Sequence, residues 1–278
     1  MSPRPRKPLP ASAPPSSTCV AGVDGCPGGW FVVQWIVGTS TAEALLVPDI
    51  AGVLAATSAC TATLIDIPIG LLDAAMPGGR PCDRAARAFL GGSSSVFSPP
   101  VRPALAATSY AEALRLNRAS SPHALGISIQ CYNILDRVAA ADAVMTPELQ
   151  MRLGEGHPEV SFRLMTRLMA GGEASAMVPA REALPRKYSR EGQARRIALL
   201  EAVGFAEVAQ WAARNRPVGK ATLEDILDAL ALAWSAARWA SGQALVLRDL
   251  PPPSNSSTPS AASSPILDSR GLRMEITA

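Results

Sequence analysis

Apolar positions run through Val20-Ala21-Gly22-Val23 and stop at Asp24; Gly25, Pro27, Gly28 and Gly29 then reverse the chain, and Trp30 to Val37 resumes a β-rich run. This pattern predicts a β-hairpin with Asp24 at its mouth. Ala42 to Val47 predicts a third strand, and the small residues of Asp49 to Ala59 a helix crossing back over the sheet. Ala62 to Gly70 is a short β-branched run interrupted by Asp66 and then Ile67-Pro68. It has the pattern of a central parallel strand that ends at its carboxyl edge, where open α/β sheets place ligands.

Farther on, Arg80-Pro81-Cys82-Asp83-Arg84-Ala85-Ala86-Arg87 opens a helix with Asp83 near its start, and Gly91 to Phe97 follows as a polar loop rich in backbone and hydroxyl donors. Such a loop can hold a phosphate or be ordinary surface. Ile127 to Met145 predicts a helix with Pro147 soon after its end, and Glu155 to Phe162 a strand that carries Glu159. Ala194 to Val203 is an amphipathic helix stopped by Gly204. Thr222 is a good N-cap for a last long helix, Leu223 to Ala240, which Gly242 ends. Residues 1–17 read as a disordered Pro/Ser-rich arm, 18–250 as the folded domain, 251–269 as a low-complexity linker and 270–278 as a strand returning to the domain.

The acids carry the candidate chemistry. A carboxylate that ends a buried strand is costly to keep charged without a cation or donors, although Asp24 can also cap its own turn. Asp225 and Asp228 lie three residues apart on one helix face. Asp225 has a structural explanation at the third helical position, where it completes a capping box. Asp228 has none: it is embedded in Ile226-Leu227-Asp228-Ala229-Leu230, and a cation or strong donor has to face it. Asp24, Asp66, Glu159, Asp225 and Asp228 converging on one sheet edge, in a chain whose only histidines are His123 and His157, describe a hard-cation site for Mg²⁺ or Mn²⁺ rather than zinc. Two such ions held ~4 Å apart activate water and stabilise a leaving phosphodiester oxygen.

Charge and cysteine content narrow the setting. The net charge of +3 is matched by Arg4, Arg6 and Lys7 in the leading arm, so the rest of the chain is near neutral and any nucleic-acid role has to use a local groove. The five cysteines are odd in number and lack C-x-x-C spacing, which predicts reduced thiols and a cytoplasmic location. No secretory-type apolar region or membrane-length apolar run is expected to engage a membrane.

The segments Gly22–Trp30, Ile65–Leu71, Arg80–Arg87, Ser94–Phe97, His157–Phe162 and Gly271–Ile276, in that order, resemble the domain-of-unknown-function family 429, described as predicted RNase H-like nucleases. The helix from Asp225 to Ala231 also looks like the acidic C-terminal helix of RNase H-like Holliday-junction resolvases. The resemblance implies an RNase H-like α/β fold: a mixed sheet flanked by helices, with a helical insertion between the Asp66 and Glu159 strands. It implies metal-dependent phosphodiester hydrolysis with Asp24, Asp66 and Asp228 as metal ligands and Glu159 and Asp225 as further catalytic candidates, acting on a nucleic acid or nucleotide. Arg80, Arg84, Arg87, Arg102, Lys187 and Arg190, with Ser95, are the candidates for substrate phosphates, solvated surface charge being the alternative for each cation. His157, beside Glu159, either shuttles a proton or hydrogen-bonds a neighbour. Two rivals stay open: an actin-like phosphotransferase or nucleotide-binding protein, whose phosphates the Gly25/Gly28/Gly29 turn would receive, and a non-catalytic binding module.

Overall fold

A computed structural model of the protein describes residues 18–40, 42–92, 95–172, 184–249 and 264–278. The expected arm, residues 1–17, and residues 251–263 of the expected linker lie outside the described residues.

The opening hairpin forms as its pattern demands: β1 (Cys19–Cys26) pairs antiparallel with β2 (Gly29–Ile36), Cys26 opposite Gly29 across the turn. β2 pairs antiparallel with β3 (Ala42–Val47), and Asp49 then caps helix α1 (Ile50–Ala56) by accepting from Gly52 N–H. The chain returns as β4 (Ala62–Ile65), parallel to β1 with Val23 opposite Ile65. An insertion of α2 (Pro81–Phe89), α3 (Tyr110–Ala119), α4 (Ile129–Asn133) and α5 (Leu135–Val144) precedes β5 (Leu153–Glu155), which is parallel to β4. The chain continues through α6 (Pro158–Met169), α7 (Arg190–Ala202), α8 (Val208–Asn215) and α9 (Leu223–Ala240). β6 (Val246–Leu247) pairs antiparallel with β7 (Ile276–Thr277). The main sheet therefore has the order β3-β2-β1-β4-β5 and mixed direction.

Strand periodicity divides the core. Val20, Phe31, Val33, Trp35 and Leu64 face one side, with Val160 and Phe162 of α6, Leu199 of α7, Val208 of α8 and the apolar run of α9. Ala21, Val23, Val32 and Ile65 face the other, with Ile50 and Val53 of α1 and Val138 and Ala141 of α5. Alternate side chains of a strand point to opposite faces, so a sheet covered on both must be apolar at nearly every position. Helix α9 is buried continuously from Ile226 to Ala236 and lies across β1, β4 and β2. Each of its buried Leu or Ile side chains contributes roughly 1.5–3 kcal/mol. Gly22 makes this approach possible: a Cβ there would lie 2.0 Å from the Ala229 carbonyl oxygen and 2.2 Å from the Ala233 nitrogen.

Three expectations change. Glu159 is not on a strand: the strand at that place is β5, ending at Glu155, and Glu159 sits in the first turn of α6. Pro158 at the first helical position has its φ preset for a helix and loses no needed N–H, and an acid beside it meets the positive end of the helix dipole. Those two effects outweigh the strand-like alternation of Val160 and Phe162. The helix expected over Ile127–Met145 is broken at Ile134, whose backbone leaves the helical region. Helix α7 begins at Arg190, capped by Ser189, rather than at Ala194.

Beyond β6 the described chain returns at the C-terminus. Thr277 bridges to Gly156 next to β5, and Leu245 and Ala278 exchange backbone hydrogen bonds of 2.6 and 2.8 Å. Leu272, Met274 and Ile276 are buried.

Candidate functional site

Two parallel strands bring the first acids together. Asp24 lies one residue beyond Val23 in β1, Asp66 one beyond Ile65 in β4, and Asp66 N–H donates to the Val23 carbonyl at 2.9 Å. Their carboxylates are thus neighbours at the carboxyl edge of adjacent strands. Because α9 rests on Gly22, its Asp228 reaches the same edge, and Asp225 follows one turn earlier. All four, with Glu159, line one cavity of about 450 Å³.

The acids differ in what holds them. Asp24 is buried, with one carboxylate oxygen accepting from Gly25 N–H at 2.8 Å. Asp228 is 3% exposed; its Oδ2 accepts from Lys187 Nζ at 2.8 Å, while its buried Oδ1 has no hydrogen-bond partner among the described residues. Asp225 forms the expected capping box with Thr222: its Oδ2 accepts from the Thr222 N–H at 2.8 Å, and its own backbone N–H donates to the Thr222 hydroxyl at 3.2 Å. Both Glu159 oxygens accept from the one Arg196 nitrogen Nη2, at 2.7 and 2.9 Å, an ion pair that offsets the Glu159 charge.

Burial and crowding make Asp24, Asp66 and Asp228 hard to ionise. Burial, then the charges of Asp66, Asp228 and Asp225, raises the Asp24 pKa well above its ordinary value. Burial raises Asp66 to about 6, Lys187 opposing and Glu159 adding. It raises Asp228 likewise to about 6, the Lys187 ammonium offsetting part and Asp66 and Glu159 adding to it. Burial disfavours the Lys187 ammonium, but the Asp228 carboxylate, helped by Asp24, more than compensates and its pKa is raised.

The phosphate candidates separate. Lys187 lines the cavity, and Ser95 stands at its wall with its carbonyl 3.4 Å from His157 Nε2. Burial lowers the His157 pKa, keeping the imidazole neutral at neutral pH, and its buried Nδ1 has no hydrogen-bond partner among the described residues. Arg80 touches the cavity but is 1% exposed and committed to Asp83 at 2.6 Å, Glu155 at 2.7 Å and the Ile69 and Gly70 carbonyls. Its donors are taken, so it is not available to a substrate. Arg84, Arg87, Arg102 and Arg190 do not line the cavity. Arg84 donates to the Gly79 carbonyl, Arg87 to the Val96 and Gly78 carbonyls, and Arg102 to Asp142 and Asp268. Arg190 is exposed at the start of α7.

One cavity cation has no counterpart among the sequence candidates. Arg137 of α5 lies 5.5 Å from the Trp30 ring centre and donates to the Cys26 carbonyl at 2.5 Å. Among the described residues no carboxylate forms an ion pair with it. Gly25 leaves it room, since a Cβ there would lie 2.6 Å from its Nη1. Nothing in the local sequence marks this arginine, because only the packing of the insertion carries α5 to the sheet edge.

Residues 22–253 match the model of a family described as a protein of unknown function, DUF429. The chain belongs to this family. No curated protein and no solved structure matches it. In this DUF429 member no described helix is long and apolar enough to cross a membrane. Its cavity offers oxygen donors suited to a hard divalent cation, one of them the orphaned Asp228 Oδ1. In the chain as it stands Lys187 supplies the opposing charge, and no group of three or more His, Cys, Asp or Glu side chains among the described residues is already gathered as a metal cage. The donor chemistry of Asp24, Asp66 and Asp228 fits such an ion, provided the Lys187 ammonium gives way to it.

Proposed function

We propose that this DUF429 member is a divalent-metal-dependent phosphodiester hydrolase of RNase H-like fold, with Asp24, Asp66 and Asp228 as ligands for Mg²⁺ or Mn²⁺. The observation that carries the reading is the meeting of Asp24 and Asp66, on adjacent parallel strands, with Asp228 of a buried helix in one cavity. The strand order and directions, an antiparallel β3-β2-β1 run continued by parallel β4 and β5, support the fold reading.

When bound, the cation activates a water and stabilises the charge that develops on the phosphoryl oxygens. The protein's part is positioning. Asp24 and Asp66 are fixed by strand register, and Asp228 by the seat of α9 on Gly22. Lys187, freed from Asp228, and Arg137, carried on the Trp30 face, present positive charge to the non-bridging phosphate oxygens. Asp225 and Glu159 stand at the wall, held by Thr222 and by the Arg196 ion pair, and of the two only Asp225 adds negative charge that no cation offsets among the described residues. Phe97 and Tyr188 supply aromatic surface against which a base can stack.

The size of the cavity favours a second reading. About 450 Å³ lies within the range of small-molecule pockets, so a single nucleotide fits as well as a strand end does, and the phosphotransferase reading stays in the test. Titration with Mn²⁺ or Mg²⁺ followed by labelled single-stranded, duplex and branched substrates and free nucleotides separates the two. Metal-dependent cleavage of a phosphodiester, lost about 10²-fold or more in Asp24→Asn and Asp66→Asn, is expected. ATP turnover with every phosphodiester left intact would transfer the site to the rival reading, and absence of metal binding at millimolar concentration would remove both.

A further inference from the structure

At the end of β1 opposite to the acids, Cys19 and Cys60 lie with their sulfurs 2.8 Å apart. Strand pairing holds them there: Thr61 N–H donates to the Cys19 carbonyl at 2.8 Å, and Val20 faces Ala62 as the parallel ladder of β1 and β4 begins. Cys60 is buried and Cys19 half-buried, so Cys19 is the more accessible residue of the pair. The Arg152 guanidinium is bound nearby, donating to the Thr57 carbonyl at 3.2 Å. Cys26, Cys82 and Cys131 are buried, and none has a second sulfur as hydrogen-bond partner among the described residues.

We propose that Cys19 and Cys60 are a dithiol site that a hydroperoxide converts into a reversible disulfide between β1 and the start of β4. A disulfide needs its sulfurs about 2.05 Å apart, so closure requires them to approach by less than ~1 Å. The Cys19 thiolate attacks one peroxide oxygen, the O–O bond breaks, and water leaves a sulfenic acid on Cys19. The Cys60 sulfur then attacks the Cys19 sulfur, the S–O bond breaks, and a second water carries off the Cys60 proton. Two thiols lose two electrons and two protons, and hydrogen peroxide is reduced to two waters. The order of attack follows from access and from proton affinity: burial, then the hydrogen bond to Cys19, pushes the Cys60 thiol up to about 12. The bond would tie together the two strands whose other ends carry Asp24 and Asp66.

The test is hydrogen peroxide, in slight excess over the native full chain, followed by non-reducing peptide mapping. A cross-linked pair of peptides containing Cys19 and Cys60, lighter by two hydrogens and released by dithiothreitol, is the expected product. In Cys60→Ser the same dose should stop at a Cys19 sulfenic acid that dimedone traps. In urea the preference for this pair should disappear, since the fold creates it. Free thiols at both positions in the oxidised native chain would overturn the proposal. So would oxygen added at Cys19 of the wild type without cross-linking, or an undiminished Cys19–Cys60 preference in urea. The wild-type mapping decides the matter even where Cys60→Ser folds poorly.

Discussion

The two oxygens of Asp228 are in opposite situations: Oδ2 is paired with Lys187, and Oδ1 is buried with no partner among the described residues. A buried carboxylate with one oxygen left without a donor is a cost to the fold even beside Lys187, and the rise of its pKa from 3.8 to about 6, caused first by burial, records it. The sign follows from linkage. Below about pH 4 the carboxyl is protonated in both states and contributes nothing; between about 4 and 6 the unfolded chain releases its proton first, so stability falls as pH rises. Asp228→Asn escapes that loss. In EDTA the variant should match wild type near pH 4 and gain on it through pH 6, ending about 1–3 kcal/mol ahead at pH 8. Lys187, whose side chain is 31% exposed, can turn to water when its partner is neutral. With Mn²⁺ present the ranking should reverse, because only wild type keeps the ligand. Urea melts across pH, with EDTA and with Mn²⁺, measure both; a variant less stable than wild type in EDTA at pH 8 would make Asp228 a structural partner of Lys187 instead.

At the scale of elements, charge that looks like surface in the sequence can be core. Arg80 opens a polar segment and reads as a phosphate candidate, but α2 delivers it to Glu155 at the end of β5, 75 residues away. Its fork meets two carboxylates in parallel, which a lysine cannot imitate. Arg80→Met should therefore cost about 3–5 kcal/mol by stranding Asp83 and Glu155, and Arg80→Lys should recover little of it in a denaturant titration. Glu159 shows the same limit of local reading. Its alternating neighbours carry a strand signal, whereas Pro158 carries a helix-start signal, and the short β5 ends just before both. Gly22 was visible only as a residue of the β1 run; its use, admitting the α9 backbone, depends on an element two hundred residues on. Gly22→Ala should push α9 off β1, costing about 1–3 kcal/mol from overpacking. The same displacement carries Asp228 away from Asp24 and Asp66, so metal affinity should fall in Gly22→Ala even where the variant remains folded, which calorimetric Mn²⁺ titration reads directly.

For the molecule as a whole, the legible part was the part that apolar patterning controls. The hairpin, β4 and α9 follow from runs of buried residues, and Asp24, Asp66 and Asp228 stand out because each interrupts such a run. Arg137 and Lys187 could not be weighed in this way: a cation in a polar segment has the same appearance whether it meets solvent or a cavity, and the difference lies in how the insertion and the segment before α7 fold over the sheet edge.

The distribution of cations sets the expected mode of substrate binding. Outside the leading arm the chain is nearly neutral, and many of its arginines are spent internally: Arg80 on Asp83 and Glu155, Arg102 on Asp142 and Asp268, Arg196 on Glu159, Arg248 on Glu275. Arg137 and Lys187 line the cavity, and on the proposed function they are its cations for phosphates, Lys187 once it is released from Asp228. A strand end held by those two groups should release about two phosphates' worth of counterions, giving a slope near −1.4 for log affinity against log salt with single-stranded substrate. Removing residues 1–17, with their Arg4, Arg6 and Lys7, should leave that slope almost unchanged if recognition is confined to the cavity. Arg137→Gln should roughly halve it. Fluorescence anisotropy between 50 and 200 mM salt measures the slope, with Ca²⁺ in place of Mg²⁺ to hold the substrate uncut. A slope of about −4 or steeper, or one that collapses with the arm, would mean that a broad basic surface or the arm itself does the binding, and the cavity would lose its place as the site of recognition.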